Sequence, residues 1–301
     1  MSSTSNCETK QENTNKNSQS NTENHLSYLV QPNLHGKQQR LPSLKVLWIR
    51  IFSYSGPSAN ETMQLRRLCK LFSKALKPLP KGSWTSYPHP KYSSLRWLFG
   101  RINKLSKRGS TNIPKLVLIE KGIHDEGGNE VVIYISISIV GESREHCVVL
   151  GGLKMDGKNE DDVNVSNLTL RKSKENGVVG WGASIHLDNV SVENSGYHGV
   201  AVYNGSKRNT MKNCNVSHSK CNGLYVYGGG LMKIDGNATT IHHNGKSDGY
   251  GLLATSSSSI HLVSPLTKEM ISTNNHFGQN YNTCSGTIQT ITNNNTKEEK
   301  K

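Results

Sequence analysis

Across the middle of the chain, apolar and polar positions alternate in short runs, and the runs repeat. Val165-Ser166-Asn167-Leu168-Thr169-Leu170 is followed, after six residues, by Gly177-Val178. Leu187-Asp188-Asn189-Val190-Ser191-Val192 leads in the same way to Gly199-Val200, and Met211-Lys212-Asn213-Cys214-Asn215-Val216 to Gly223-Leu224. A looser fourth row starts at Ile234 and reaches Gly249 or Gly251, and a fifth spans 270–278. A period of two within each run signals strand rather than helix. Self-similarity at a spacing of 20–50 residues signals a stacked-repeat fold. No helical pattern separates the runs, so βαβ units are excluded. The pattern predicts a mainly β chain, a single-stranded parallel β-helix in which each coil pairs with the edge left by the one before.

Three columns of this repeat carry expectations. Asn167, Asn189 and Asn213 align, and stacked amides about 4.8 Å apart can hydrogen-bond up the coils. Gly177, Gly199 and Gly223 align where the chain re-enters a strand, a place where a positive φ is useful. Trp181, Tyr203 and Tyr227 also align. Alternation places Val200, Val202, Gly180 and Val226 inward, and Ala201, Tyr203 and Tyr225 outward. Trp181, Tyr203, Tyr225 and Tyr227 are therefore the candidate substrate-binding face, for a peptide or a sugar. An internal aromatic stack remains the alternative if a turn shifts the parity.

Upstream, residues 115–128 and 130–152 read as less regular coils, giving six or seven coils between Leu116 and Cys284. The segments "LVLIEKGIHDE", "ISIVGE" and "VVLGG" resemble the first coils of the right-handed β-helix superfamily, which contains pectate lyases and the CASH-type domains. The resemblance covers about 170 residues. It implies a right-handed coil and, for the enzymes of that fold, action on acidic polysaccharides.

Composition then divides the chain. Residues 1–34 read as a disordered polar tail, 35–80 as a helical segment, 81–114 as a linker or N-terminal cap, 115–286 as the β-helix and 287–301 as a second disordered tail. Net charge is +14. Residues 1–115 hold 19 basic and 4 acidic residues, so all of the excess lies ahead of the repeats. A partner of that part should be acidic, whereas the β-helix is a poor nucleic-acid candidate. No secretory h-region and no long apolar run appear, so the expectation is an intracellular chain without a membrane span. The six cysteines follow no framework spacing and are expected as free thiols.

The basic part has its own pattern. Within 41–77, two apolar stretches flank Ser55-Gly56-Pro57-Ser58, and Met63, Leu65, Leu68, Leu71, Phe72 and Leu76 follow helical spacing. Pro78 and Pro80 would end that helix. Further on, Leu95, Leu98 and Ile102 predict a short amphipathic helix. The pattern "LP…IFSY…LRRLCKLF" resembles the F-box, on Leu41, Pro42, Ile51, Phe52, Tyr54, Leu65, Leu68, Cys69 and Phe72. The resemblance implies a Skp-type adaptor and a cullin-type ubiquitin ligase as partners, with the β-helix holding a target protein. Without it, residues 41–110 read as a cap over the first coil.

Candidate chemistry on the coils is sparse. Arg171, Glu193 and Ser217 share one column and Ser166, Asp188 and Lys212 another, and neither is acidic twice. Asp156, Glu160, Asp161 and Asp162 gather on a turn, where solvation is their expected role. Cys214, His218, Cys221 and His242-His243 are close in sequence, but Cys214 falls in a core column. No catalytic residue, metal site or cofactor is expected. The sequence thus favours a non-enzymatic ligase adaptor, with a carbohydrate-binding or polysaccharide-cleaving β-helix as the alternative.

Overall fold

The computed structural model describes residues 84–292. The F-box-like segment, with Leu41, Pro42, Ile51, Phe52, Leu65, Leu68, Cys69 and Phe72, lies outside them.

The described residues form a parallel β-solenoid of about seven turns, with three parallel sheets along its length. Sheet A starts with strand Trp84–Tyr87 on Leu116–Ile119 and ends with Thr287–Ile291 on Ser259–Val263. The terminal strands therefore extend the solenoid to both sides of 115–286. In sheet B, 122–125 is followed by 147–150, 169–171, 191–193, 215–217, 240–242 and 272–273. In sheet C, 130–133 is followed by 152–155, 178–180, 200–202, 224–226, 252–254 and 281–283. Like positions meet like in this register. Val131, Leu153, Val178, Val200, Leu224 and Leu252 stack as one buried column. Each such side chain contributes about 1.5–3 kcal/mol by leaving water, so the repeat itself specifies the coil.

The corners explain the asparagines. Asn167, Asn189 and Asn213 have φ of 55°, 55° and 51°, the left-handed turn between sheets A and B. Asparagine tolerates that region better than other side chains with a Cβ. Asn189 also donates from Nδ2 to Oδ1 of Asn167 at 2.9 Å, one rung of the expected ladder. The aligned glycines need a different account from the positive φ expected of them. None of Gly177, Gly199 and Gly223 has one. They are glycines because the next coil leaves no room. A Cβ at Gly199 would lie 2.3 Å from Cγ1 of Val216 and 2.6 Å from the carbonyl oxygen of Gly223.

Helix α1, Leu95–Lys107, closes the first coil. Leu95, Leu98, Phe99 and Ile102 are buried in the core, as the amphipathic spacing requires. Ser94 Oγ accepts from the amide of Trp97 at 3.2 Å. The Glu126 carboxylate accepts from the amides of Leu95 at 2.7 Å and Arg96 at 3.2 Å. A carboxylate at the positive end of the helix dipole is favourable. Asn103 Nδ2 donates to the Val132 carbonyl at 2.8 Å, and its Oδ1 accepts from the Tyr134 amide at 3.2 Å. One amide side chain thus occupies the edge of 130–133 as a neighbouring strand would. Among the described residues, no helix is long and apolar enough to cross a membrane.

Candidate binding face

Sheet C positions the aromatic residues. Val178, Gly180, Val200 and Val202 face the core, so Val179, Ala201 and Tyr225 face outward in one row. Trp181 pairs with Tyr203 in register, and the Tyr227 amide bonds the Val202 carbonyl at 2.9 Å, placing Tyr227 one coil further along. All four expected residues therefore meet on one outer face, and the internal stack is excluded. Trp181 and Tyr227 are 44% and 43% exposed.

The rings form a stepped surface. Centroids are 5.1 Å apart for Trp181 and Tyr203, tilted at 45°, and 6.3 Å for Tyr203 and Tyr227, tilted at 59°. Tyr225 lies edge-on to Tyr203 at 5.8 Å. Such offset and edge contacts suit the ring quadrupole. Val179 and Ala201 point away from the core and yet are only 3% and 0% exposed. The surrounding large side chains cover both. Lys154 Nζ stands 5.9 Å from the Trp181 ring, on the preceding coil of the same sheet. Burial, and then the neighbouring Tyr225 and Tyr197 hydroxyls, push the Tyr203 hydroxyl up to about 12. It stays protonated and can donate to a ligand.

The residues just before the stacked glycines extend this face, and the repeat pattern could have revealed them. Asn176, His198, Asn222 and Tyr250 occupy one column before Gly177, Gly199, Gly223 and Gly251. The His198 amide donates to Oδ1 of Asn176 at 3.2 Å. The Asn222 amide donates to Nδ1 of His198 at 3.2 Å, and the Tyr250 amide to Oδ1 of Asn222 at 2.7 Å. Each side chain accepts a backbone N–H from the next coil. His198 takes an asparagine's place here and stacks between Tyr197, at 4.1 Å, and Tyr225, at 4.6 Å. Accepting at Nδ1 requires an unprotonated nitrogen there, and burial lowers the pKa to about 4.

Two carboxylates lie on this face, Glu130 and Asp156, and Asp156 Oδ2 pairs with Lys154 Nζ at 3.8 Å. Burial raises the Glu130 carboxyl, against the lowering effect of Lys154 and of hydrogen bonds from Asn176. It hydrogen-bonds with Asn176 at the start of the same ladder, and its charge is felt at the Tyr203 hydroxyl. On sheet B, Arg171 Nε pairs with Glu193 Oε2 at 2.8 Å. Ser166, Asp188 and Lys212 align as expected on sheet A. On the turn, Asp161 Oδ1 accepts from Ser136 Oγ at 2.9 Å, and Asp162 holds His186 at 3.1 Å and Arg208 at 3.0 Å. These carboxylates are structural partners rather than a facing pair.

Cys214 lies in the core with its thiol pushed up to about 12, chiefly by burial. His218, His242 and His243 do cluster: His242 and His243 approach at 2.7 Å through their Nδ1 atoms, and His218 stacks on His243 at 5.2 Å. Among the described residues, no group of three or more metal-binding side chains is arranged to hold an ion.

Residues 151–301 match the family model described as right handed beta helix region. No curated protein matches the chain. Among solved structures, it is similar to one described as the crystal structure of the Agl-KA catalytic domain. Identity is 13% and the TM-score 0.40, over 71% of this chain and 48% of the other. The chain thus spans about half the length of that structure.

Proposed function

The chain belongs to the right-handed β-helix family, and on that footing we propose that it is a carbohydrate-binding protein whose ligand lies along the outer face of sheet C. The observation that carries this reading is the outer-face run Trp181–Tyr203–Tyr227, one ring per coil, with Trp181 and Tyr227 exposed on either side of half-buried Tyr203. A pyranose ring offers an apolar C–H face and a polar rim. A flat aromatic ring covers the first without a desolvation cost, and nearby donors meet the second. One ring per coil sets a step that a linear glycan can follow along the solenoid axis. The Tyr203 hydroxyl and Lys154 are donors beside that path.

Binding is favoured over cleavage. Hydrolysis needs two carboxyl groups flanking the scissile bond, and the two on this face are already engaged, Glu130 with Asn176 and Asp156 with Lys154 at 3.8 Å. The ligase-adaptor reading rests on the F-box resemblance at residues outside those described. Under it, the same aromatic face would hold a protein.

The test is affinity electrophoresis of the full chain through gels containing a panel of polysaccharides, beside Trp181→Ala/Tyr227→Ala. Retardation of the parent by at least one polysaccharide, lost in the variant, supports the reading. No retardation by any of them, or retardation unchanged in the variant, removes it.

A further inference from the structure

A second surface lies away from the aromatic face. An open groove of about 1080 Å³ runs between helix α1 and 125–134, with Lys91, Arg96, Arg101, Lys104 and Lys107 on its rim and wall. Lys107 sits 4.8 Å from the Tyr134 ring. Arg96, Arg101 and Lys104 form no ion pair among the described residues. Of the three carboxylates that line the groove, Glu126 is taken by the amides of Leu95 and Arg96 and Glu130 by Asn176, which leaves Asp125 against five cations. Unneutralised positive charge of this kind attracts an anionic partner.

We propose that the outer face of helix α1 is a docking site for an acidic amphipathic helix of a partner protein. Three observations select a helix. Gly100 lies in the middle of α1, where glycine costs about 0.5–1 kcal/mol relative to alanine. A Cβ there would meet nothing within 4 Å, so no tight contact within the described chain requires it. It leaves a notch beside Trp97, which is 70% exposed, and bare backbone lets a partner approach closely. Arg101, Lys104 and Lys107 are spaced at three residues, the spacing at which acidic residues line one face of an opposing helix. Asn103 already takes the Val132 carbonyl and the Tyr134 amide, so an incoming strand would have to displace it from this edge. Exposed Trp and Arg around a close-packed centre are also the usual anchors of protein interfaces.

Charge decides among occupants. Residues 1–83 hold 12 basic and 4 acidic residues, and 293–301 hold 3 and 2, so the chain's own ends are not the acidic partner. A nucleic acid or a uronate glycan is charged at every unit and would set some of that charge against Asp125, which also lines the groove. A helix can place its acidic residues opposite the cations alone.

The experiment measures fluorescence anisotropy of a fluorescein-labelled peptide of about three heptads with full-length protein. The peptide carries a leucine face flanked by glutamates. A lysine-flanked peptide and oligogalacturonate serve as comparisons. Gly100→Leu fills the notch while keeping a good helix former, and Arg101→Glu/Lys104→Glu reverses the charge. Far-UV circular dichroism confirms that each variant retains its fold. The expected result is micromolar binding of the acidic peptide, no binding of the basic one, and at least about tenfold weaker binding by each variant, a tenfold change being about 1.4 kcal/mol. Failure of the acidic peptide to bind overturns the proposal. So does a Gly100→Leu protein that binds like the parent, or oligogalacturonate that competes as well as the peptide, because either reduces the surface to an unspecific cationic patch.

Discussion

Replacing Gly199 by alanine tests the stacking account at its tightest point. The new Cβ would lie 2.3 Å from Cγ1 of Val216, 2.6 Å from the carbonyl oxygen of Gly223 and 2.8 Å from Oγ of Ser219. Val216 is fully buried, and close-packed interiors hold few voids into which such a side chain can turn. The Gly223 carbonyl accepts the Val200 amide at 2.8 Å, so moving it strains an inter-coil hydrogen bond. Overpacking costs about 1–3 kcal/mol and a weakened hydrogen bond about 1 kcal/mol, for a total of about 3 kcal/mol. In a folded unit of this size that lowers Tm by about 6–12 °C. Gly100→Ala is the control. It meets nothing within 4 Å and should stabilise by up to about 1 kcal/mol through helix preference. Urea and thermal unfolding followed by circular dichroism read both. A Gly199→Ala protein within about 0.5 kcal/mol of the parent would refute steric exclusion as the reason for the glycine column.

Further predictions concern titration, the cap and the thiols. His198 is neutral when folded, with its pKa lowered from 6.5 to about 4. The unfolded chain therefore binds the extra proton first. This group's contribution, at most about 3 kcal/mol, is present above pH 6.5 and is lost as pH falls toward 4. In His198→Asn, which restores the ladder residue of the neighbouring coils, unfolding midpoints measured from pH 7 to 4 should fall less steeply than in the parent. Asn103→Ala removes the partners of the part-buried Val132 carbonyl and Tyr134 amide and should cost about 1–3 kcal/mol in urea unfolding, the lower half of what two fully buried orphaned groups would cost, because both border the open groove and water can reach them. Burial holds the Cys147 and Cys214 thiols at about 12, so at pH 8 both should resist a thiol reagent that labels exposed Cys284, as mass spectrometry of labelled peptides will show.

The coil was legible because its core repeats with a register of whole residues. Period-two alternation places Val178, Val200 and Leu224 inward, and it placed Trp181, Tyr203 and Tyr227 outward by the same parity. The corner asparagines were legible as a column, although their first task is a left-handed φ, with amide bonding secondary. The glycines were misread because sequence shows that a side chain is absent and not what excludes it. Here the excluding atom is a carbonyl or a valine from the next coil. Other features depend on long-range pairs with no repeat behind them. Nothing local marks Glu126 as the cap of a helix some thirty residues earlier, or Asn103 as a substitute strand. His198 could have been found, since it shares the pre-glycine column with Asn176 and Asn222, but its ring reads as an unrelated residue until the shared acceptor role is seen.

Isothermal titration with a length series of oligosaccharides from the polysaccharide that best retards the protein tests the central claim most directly. The rings of Trp181, Tyr203 and Tyr227 stand one per coil, so affinity should rise with each added sugar until the ligand spans all three. Beyond that length it should level off, and Trp181→Ala should shorten the plateau by one sugar. An affinity indifferent to length, or a series unchanged in Trp181→Ala, would contradict a glycan lying along the aromatic face.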